Sequence, residues 1–550
     1  MIQLGISAFY HDSAACLVID GRVVAAAEEE RFTGIKHDES FPINAINWIL
    51  KSQRLNLNSI DQICWYENPK IKRKRVLKTF NKHFFTTLPL RLKYLWNYKN
   101  QDPEYILKKV GYKGEIKYTD HHLSHAAFSY YTSPYKDAAV VTIDGVGEFE
   151  TATISRVINN KVEKVISVDF PNSLGMLYST ITAYLGFKPN EGEYKVMGLA
   201  PYGDPTKYTE KLGSLISHTS NKFFINQKPF TWEYSDKEMF NKYLCYTLGI
   251  LPRLPNEPIT QVHKDLAASL QKVYEVEFQR LLNTAKNFTK SPNLCLGGGC
   301  AYNGVANVLA YKFFDSVHIP YAPSDAGSSI GACLYNYKGE RKVNNSPYLG
   351  PEYKDTEVFN AIQKYDNIRA FRLADDLLIK KTAEILSKQN IVGWFQGKME
   401  FGARALGNRS ILAAPQNPHM REKLNHVIKK REGFRPFAPS VIEEKASQYF
   451  DIKENVPYMN IVCKAKTKKF PSATHIDGSA RVQTVSKKQN EKYYLLLKEV
   501  SRYTGSPVLL NTSFNLKDQT ITLSPDDAIK RFLDSKINFL VINNYLIQKK

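Results

Sequence analysis

The chain has 550 residues, more than one hydrophobic core can organise, so roughly two to four domains are expected. Its hydrophobic fraction of 43% excludes a disordered chain, and its seven cysteines, an odd number without a Cys-x-x-Cys pair, exclude a disulfide framework and a sulfur-rich zinc site. The net charge of +21 is concentrated in particular segments and indicates anionic partners.

The N-terminal residues predict a strand meander. Residues 4–8, 15–20 and 22–27 are short apolar runs joined by polar turns, the second turn through Asp20-Gly21. The chain begins directly with the first strand, and no basic region followed by a long apolar stretch precedes it. This pattern predicts neither a signal peptide nor a transmembrane helix, and therefore a cytoplasmic protein.

Residues 68–101 form a basic segment without any acidic residue, in which lysines and arginines are interleaved with aromatic side chains. Two interpretations are open. The segment contacts phosphate groups, an anionic membrane surface or nucleic acid, or it is a solvated helical insertion whose aromatic side chains point inward. No known nucleic-acid-binding motif accompanies it, so nucleic acid is the least favoured partner.

A candidate metal site begins at His121 and His125. If this segment is helical, the two histidines lie on one face, and Asp144, at the end of an apolar strand, adds an oxygen ligand. Asp325, in a second turn beside a glycine, extends the set. Imidazole and carboxylate together suit iron(II), manganese or zinc, whereas the alternative is a histidine pair hydrogen-bonded at a helix start.

The meander occurs a second time, at residues 138–144, 151–157 and 162–168, and each copy is followed by a mainly helical stretch. A duplicated unit of this kind is contained in the fold shared by actin, sugar kinases and heat-shock chaperones, in which nucleotide binds between the halves. A strand at residues 293–296 then enters Gly297-Gly298-Gly299, with a helix predicted over 301–311. The glycines permit close approach of a nucleotide, although tight helix packing produces the same residues.

A second α/β domain follows a boundary rich in Asn, Ser, Pro and Gly. We predict a first domain over residues 1–345, a linker over 346–370 and a second domain over 371–550. Apolar strands at 391–395, 507–510 and 538–542 alternate there with helices at 375–388 and 525–533.

The second domain carries cationic side chains on turns constrained by Gly and Pro, where they suit phosphate better than they suit a helix surface. Amide and hydroxyl groups at predicted strand ends complete the set, although ordinary loop polarity explains any single member. The candidates are Arg404, Arg409, Lys429, Arg435, Arg481, Asn511 and Ser513.

These motifs together resemble the O-carbamoyltransferases of nodulation-factor, cephamycin and aminoglycoside biosynthesis, the NodU/CmcH type. The resemblance runs in order through almost the whole chain: residues 5–15, 27–32, 121–126 and 192–200, and the arginine motifs of the second domain. One departure is Ala403, where proline is expected before Arg404.

The resemblance implies a two-domain enzyme with an ASKHA domain (the actin, sugar-kinase and chaperone fold) followed by a YrdC-like α/β domain. The second domain would make carbamoyl adenylate from carbamoyl phosphate and Mg-ATP. The first would transfer the carbamoyl group to a hydroxyl of a sugar, glycan or secondary metabolite. A tRNA threonylcarbamoyl transferase-like enzyme and a non-catalytic sugar- or nucleotide-binding protein are the alternatives.

The resemblance also implies roles for individual residues. His121, His125, Asp144 and Asp325 match the metal ligands, usually of iron(II). His11, Lys36 and Asp144 are the catalytic candidates, since His11 would position or deprotonate the acceptor and Lys36 would contact the adenylate. Gly297, Gly298, Gly299 and Asn303 match the nucleotide edge, and the seven polar residues of the second domain match the site for carbamoyl phosphate and ATP.

The basic segment bears on the acceptor and on where the enzyme works. It motivates the hypothesis that the acceptor is anionic or lipid-linked, and hence that the protein associates peripherally with the inner face of the membrane. A homodimer is a further expectation.

Overall fold

The computed structural model describes the backbone of residues 1–550 and the side chains of residues 1–96 and 99–550, so that Asn97 and Tyr98 of the basic segment lie outside the described side chains. The chain divides into two compact units. Unit 1 comprises residues 1–24 and 39–345, and unit 2 comprises residues 25–38 and 346–550. A short N-terminal segment therefore belongs to the second unit, which the sequence did not indicate.

The first half of unit 1 is built on a five-stranded sheet of order β3-β2-β1-β4-β5. Asp20 and Gly21, which join β2 to β3, both have positive φ, as the Asp-Gly turn of a hairpin requires. The α1 helix belongs to unit 2. The elements are β1 (Ile2–Ser7), β2 (Ala14–Ile19), β3 (Arg22–Glu28), α1 (Glu30–Thr33), α2 (Ile43–Ser52), β4 (Gln62–Trp65), α3 (Pro69–Lys82), α4 (Leu88–Asn97), α5 (Pro103–Lys109), β5 (Glu115–Tyr118) and α6 (His121–Tyr131), with 3-10 turns at Leu57–Ser59 and Tyr98–Gln101.

The second half repeats this plan in a sheet of order β8-β7-β6-β11-β12. In each half the first two strands pair antiparallel, and the first and fourth pair parallel. The predicted duplication is confirmed. The elements are β6 (Ala139–Ile143), β7 (Glu150–Ile158), β8 (Lys161–Asp169), α7 (Leu174–Tyr184), α8 (Glu193–Leu199), α9 (Thr209–Gly213), β9 (Ile216–His218), β10 (Phe223–Ile225), α10 (Lys242–Leu248), α11 (Gln261–Thr289), β11 (Asn293–Gly297), α12 (Gly304–Asn307), β12 (Ser316–His318) and α13 (Asp325–Asn336), with 3-10 turns at Ala200–Tyr202, Gly299–Tyr302 and Val308–Lys312.

Two buried helices, α6 and α13, pack closely against each other in the core of unit 1. A Cβ atom on Gly331 of α13 would lie 1.9 Å from the Ser124 carbonyl oxygen of α6, so only glycine permits this approach. Ala126 and Tyr130 of α6 pack on the apolar side chains of β6 and β11. The packing fixes the first turns of both helices beside the end of β6.

Unit 2 contains an eight-stranded mixed sheet of order β13-β22-β21-β14-β15-β20-β16-β19 and a two-stranded sheet of β17 and β18. Helices α15 and α18 cover the large sheet through a core that includes Trp394, Leu412 and Tyr493. Residues 346–370, expected to be a linker, include α14. The elements are α14 (Asp355–Ile362), β13 (Ile368–Arg372), α15 (Asp375–Ser387), β14 (Val392–Phe395), β15 (Arg409–Ala413), α16 (His419–Glu422), a π-helical turn (Lys423–Ile428), β16 (Ala438–Ile442), α17 (Glu443–Tyr449), β17 (Val462–Lys464), β18 (Ser479–Arg481), β19 (Gln483–Val485), α18 (Glu491–Thr504), β20 (Val508–Ser513), α19 (Pro525–Leu533), β21 (Phe539–Ile542) and β22 (Tyr545–Lys549).

The basic segment folds into α3 and α4. Phe80 is buried and meets the ring of Tyr94 at 5.9 Å, whereas Phe85 and Trp96 are 91% and 85% exposed. The aromatic side chains are therefore divided between the interior and the surface. Across the part of the chain that the structure describes, every helix is too short or too polar to cross a lipid bilayer.

Candidate metal centre and anion-binding site

The four predicted metal ligands meet at one point in unit 1. His121 and His125 lie on one face of α6, Asp144 follows β6 directly, and Asp325 begins α13. Their ligand atoms all lie within 4.8 Å of one another, and the four side chains are buried. The Nε2 atoms of the two histidines are 3.1 Å apart, and His125 Nε2 lies 2.9 Å from an Asp144 carboxylate oxygen.

The donor set fits a divalent metal. Both carboxylate oxygens of Asp325 are buried and accept no hydrogen bond from the described residues, and His125 Nε2 and His121 Nε2 lie 3.4 and 3.6 Å from one of them. An unsatisfied buried carboxylate is costly unless a cation completes it. Behind the site, the Ser328 hydroxyl lies 2.9 Å from His125 Nδ1, an outer contact that orients the ring so that Nε2 faces the carboxylates.

The histidines and aspartates of the site stabilise one another in their charged forms. Burial opposes ionisation of Asp144, but hydrogen bonds from His121 and His125 hold its pKa well below the usual range. Burial lowers the pKa of His125, but its contact with Asp144 and the charges of both aspartates outweigh this effect and raise that pKa to about 9. Positive charge is thus strongly stabilised where a cation would bind.

Glu148 is a member of this site that the sequence did not reveal. Its carboxylate accepts the backbone N–H of His121 at 3.0 Å and the backbone N–H of Asn68, which caps α3, at 2.6 Å. It therefore ties the first residue of α6 to the start of the basic segment. Burial raises the pKa of Glu148 to about 7. A glutamate in the loop between two strands gives no sequence signal for such a contact.

His11 lies in the turn between β1 and β2. Its Nδ1 is 2.9 Å from a carboxylate oxygen of Asp12, and its ring packs against Tyr10 at 4.8 Å. Burial lowers the pKa of His11, but the negative charges of Asp325 and Asp12 raise it to about 10. His11 therefore lies within electrostatic reach of the metal ligands.

The glycine triplet packs against the metal centre. A Cβ atom on Gly298, whose φ is +84°, would lie 2.2 Å from the Ile143 carbonyl oxygen, and one on Gly297 would lie 2.5 Å from the Ser129 hydroxyl of α6. On Gly299 it would lie 3.2 Å from an Asp144 carboxylate oxygen. Close packing accounts for the first two glycines, and Gly299 leaves space beside Asp144.

Asn303 is engaged with protein. Its side chain caps α12 through the backbone N–H of Ala306 and exchanges two amide hydrogen bonds with Gln271, at 3.1 and 3.2 Å. Because Asn303 and Gly304 interrupt the backbone here, the continuous helix predicted over 301–311 is replaced by 3-10 turns around the short α12.

In unit 2 a buried glutamate shapes the loop that carries Arg404. One carboxylate oxygen of Glu400 accepts the backbone N–H groups of Leu406, Asn408 and Arg409 at 2.7, 2.7 and 3.2 Å. The side chain of Arg404 is partly exposed on this loop. Sequence patterns alone did not indicate Glu400, because its partners are backbone groups.

Arg409 is fully buried within the protein. Its guanidinium donates to the carbonyl oxygens of Gln396, Asn408, Pro351 and Gly397, at 2.6 to 3.1 Å, and lies 3.6 Å from the centre of the Phe395 ring. All of these contacts are to the protein itself, and they join the ends of β14 and β15.

Lys429 is buried at the end of β20. Its ammonium donates to the Asn515 side-chain oxygen at 2.7 Å and to backbone oxygens of Asn515 and Ser513. Burial lowers its pKa well below the ordinary value, and the charges of Arg431, Arg435 and Lys36 lower it further. This concentration of positive charge is suited to a polyanion.

Lys36, in the segment 25–38, therefore lies with the cations of unit 2. The prediction that it belongs to the first domain is wrong, because this segment packs with residues 346–550. The segment is held by Arg31, which is buried, pairs with Glu28 at 2.6 Å and donates to the Gly402 carbonyl oxygen at 3.0 Å. This contact joins residues 25–38 to the loop that carries Arg404.

Asn511 presents an unsatisfied acceptor. Its amide nitrogen donates to the Gln483 side chain at 2.9 Å and to the Ala405 carbonyl oxygen at 3.2 Å, while its buried side-chain oxygen has no hydrogen-bond partner among the described residues. Arg481, on β18, and Arg435, paired with Glu432 at 3.4 Å, are partly exposed. An anion bound here would meet cations, and an amide donor would meet Asn511.

Two family models match the sequence. The model described as carbamoyltransferase N-terminus matches residues 2–334, and the model described as carbamoyltransferase C-terminus matches residues 383–549.

Curated relatives match along most of their length. A Synechocystis protein, sll1178, is 39% identical over 99% of this chain and 96% of its own. The nodulation protein NolNO of Sinorhizobium fredii is 34% identical over 98% of this chain and 79% of its own, and NolO of Bradyrhizobium diazoefficiens is 33% identical over 78% and 79%.

Similarity to solved structures is weaker. An activator of 2-hydroxyisocaproyl-CoA dehydratase from Clostridium difficile, with bound ADPNP, matches 61% of this chain and 94% of its own at 12% identity and a TM-score of 0.34. HypF from T. kodakarensis matches 60% of this chain and 47% of its own at 13% identity and a TM-score of 0.31. The family assignment rests on the sequence matches.

Proposed function

The chain belongs to the carbamoyltransferase family and is a carbamoyltransferase, and from this premise we propose that it is an ATP-dependent O-carbamoyltransferase with one half-reaction in each unit. Unit 2 makes carbamoyl adenylate, and unit 1 transfers the carbamoyl group to a hydroxyl. The observation that carries the proposal is the presence, in one chain, of a cationic site beside Lys429 and a buried His/Asp centre.

In unit 2, carbamoyl phosphate and water yield carbamate and phosphate, and carbamate oxygen then attacks the α-phosphorus of ATP and expels pyrophosphate. The phosphates are neutralised by Arg404, Arg435, Arg481 and Lys429. Catalysis of such reactions depends mainly on stabilising the negative charge of the phosphates. The free oxygen of Asn511 accepts from the carbamoyl NH₂ group, and Ser513 and Lys36 complete the site. Arg409 holds the loop through its carbonyl contacts.

In unit 1, the acceptor hydroxyl attacks the carbamoyl carbon, AMP leaves, and one proton is released. A divalent metal, which we propose to be Fe(II), would polarise the carbamoyl carbonyl when held by His121, His125, Asp144 and Asp325. His11 Nδ1 is hydrogen-bonded to Asp12, so Nε2 is the nitrogen left to accept the hydroxyl proton. The negative charge of Asp325 raises the pKa of His11, and a bound cation would offset that charge and favour the neutral imidazole that a base requires.

We propose that unit 1 is an ASKHA domain and that unit 2 is YrdC-like. The two sheets of identical strand order support the first assignment. The space that Gly299 leaves beside Asp144 supports binding of the adenylate at the edge formed by residues 297–299 and Asn303.

We propose that the acceptor is a hydroxyl of a sugar, glycan or metabolite. We also propose that the protein is cytoplasmic and that part of it associates with the membrane surface. Leu88, Leu92, Leu95 and Trp96 lie at helical spacing on α4 and are 49 to 85% exposed. An exposed apolar face within a segment that lacks acidic residues supports contact with anionic lipid more than with nucleic acid. We also propose a homodimer, which awaits a measurement of mass in solution.

Product analysis tests the proposal. Purified protein is incubated with ATP and labelled carbamoyl phosphate, and nucleotides and phosphates are resolved by chromatography. Pyrophosphate is expected in an amount equal to the sum of carbamoyl adenylate and AMP, its hydrolysis product, and only when carbamoyl phosphate is present. Formation of ADP in place of AMP would contradict adenylate chemistry.

A further inference from the structure

Arg75, in the middle of α3, carries a guanidinium that has no anionic partner among the residues whose side chains are described. Its Nε atom is buried and has no hydrogen-bond partner, and among the described residues no carboxylate lies within ion-pair distance of its side chain. The side chain is half-buried, with its Cζ 5.3 Å from the centre of the Phe170 ring. An arginine held in this way has given up hydration without the compensating ion pair that buried charges normally have.

The nearby carboxylates are committed elsewhere. Glu67 pairs with Lys72 at 2.8 Å, and the oxygens of Glu148 accept the backbone N–H groups of Asn68 and His121. Burial lowers the pKa of Arg75, while the negative charges of Glu67 and Glu148 counteract this effect. These groups keep the guanidinium charged but leave its hydrogen-bond donors available.

Arg75 adjoins the transfer site. Tyr10 lies within electrostatic reach of Arg75 on one side and of Asp144 and Asp325 on the other. A Cβ atom on Gly145, the residue after Asp144, would lie 3.5 Å from the Tyr10 hydroxyl. Glu148 also links the N-terminus of α3 to His121. Glu148 and Tyr10 thus connect the surroundings of Arg75 to the centre at which the acceptor hydroxyl reacts.

We infer that Arg75 binds an oxyanion of the acceptor, so that the substrate of this enzyme carries a phosphate, carboxylate or sulfate close to the hydroxyl that is carbamoylated. This inference rests on the proposed function. A planar guanidinium pairs with two oxygens of such a group and fixes its orientation, which a hydroxyl alone cannot provide. The inference assigns to the basic segment a role in choosing the substrate.

Phosphate binding tests the inference. Inorganic phosphate is titrated by calorimetry into the full-length wild type and into Arg75→Met, which keeps the unbranched stem against Phe170. Arg75→Lys keeps the positive charge but loses the planar guanidinium that can pair with two oxygens. Arg73→Met is the control, because Arg73 is exposed on the same helix. Arg75→Met is expected to lose one bound phosphate, Arg75→Lys to bind it about tenfold more weakly, and Arg73→Met to match the wild type. Equal binding stoichiometry in the wild type and Arg75→Met would overturn the inference.

A second titration, with AMP, distinguishes the acceptor from the adenylate. If Arg75 serves the acceptor, AMP binds to Arg75→Met with wild-type affinity. A loss of AMP affinity of about tenfold or more would mean that Arg75 holds the adenylate phosphate, and would overturn the assignment to the acceptor. Carbamoyl-phosphate-dependent pyrophosphate release by the wild type is measured alongside, and its absence would count against the proposed function while leaving the anion site intact.

Discussion

The residues that matter most in both sites are buried polar groups whose hydrogen bonds the protein leaves unmade. Asp325 in unit 1 and Asn511 in unit 2 each present a buried oxygen without a partner among the described residues. Folded proteins satisfy nearly all buried polar atoms, so an unsatisfied acceptor that also lies among candidate ligand residues supports a site at which a ligand completes the network. The sequence identified both residues as candidates from their neighbours in the chain, but only coordinates show that their oxygens are unsatisfied.

The first prediction concerns metal content. Replacing Asp325 by Asn removes a charged ligand, so bound metal measured by mass spectrometry should fall by at least about tenfold at limiting metal. Ser328→Ala loses the contact with His125 Nδ1 and should weaken binding by roughly ten- to hundredfold, with the ligands unchanged. The control is Asp315→Asn, because Asp315 is an exposed aspartate directly before β12. Full metal content in Asp325→Asn would show that Asp325 is not a ligand.

A second prediction follows from Lys429. Its pKa is lowered in the free protein, so above that lowered value the amine is neutral, and an arriving polyanion raises the pKa and restores the proton. Binding of ATP should therefore take up a proton at alkaline pH and none well below the lowered pKa. Calorimetry in buffers of different ionisation enthalpy measures the uptake. Lys429→Met should abolish it, and Lys430→Met, exposed next in the chain, should not. Uptake that persists in Lys429→Met would assign the proton to another group.

At the scale of elements, the sequence predicted the strand meanders correctly, because apolar alternation and turn residues are local signals. It did not predict that residues 25–38 belong to unit 2, or that α4 turns apolar side chains outward, because both depend on packing against distant parts of the chain. The glycine triplet shows the same limit. Its residues suggested a nucleotide loop, and the structure shows that Gly297 and Gly298 are also required by contact with α6 and β6.

A third prediction tests the exposed face of α4. The wild type should sediment with vesicles that contain phosphatidylglycerol, and the double variant Leu92→Ser/Trp96→Ser should bind them roughly tenfold less, since it loses apolar area at the lipid interface. Tyr246→Ser removes an aromatic ring that is 73% exposed on α10 and should have no effect. Equal sedimentation of the wild type and the double variant would exclude this face as the contact.

A fourth prediction concerns the attachment of residues 25–38. Arg31→Met removes the buried guanidinium that pairs with both Glu28 and Glu30 at 2.6 Å, and it should lower the free energy of unfolding of unit 2 by about 3–5 kcal/mol. Adding Glu28→Gln removes one of the two carboxylates that lose this cation and should recover part of the loss. Thermal unfolding of both variants, with Arg22→Met as an exposed control, measures the difference. An unchanged melting temperature in Arg31→Met would show that this ion pair does not hold the segment.

For the whole molecule, the sequence motifs gave the right family and a duplicated first unit, and the sheets agree with that duplication. The proposed joining of adenylate formation and carbamoyl transfer in one chain would suit a labile intermediate, which must react with the acceptor before water reaches it. Acceptor choice was beyond the sequence, because the role that we propose for Arg75 depends on how the fold packs α3, and residue patterns alone do not give that packing.

The most direct test of two half-reactions in two units is pyrophosphate release from ATP, with and without carbamoyl phosphate, by the wild type, Arg481→Ala and His121→Ala. We predict that release requires carbamoyl phosphate, is lost in Arg481→Ala and persists in His121→Ala. Release that is independent of carbamoyl phosphate, or that disappears in His121→Ala while the protein remains folded, would contradict the assignment of adenylate formation to unit 2.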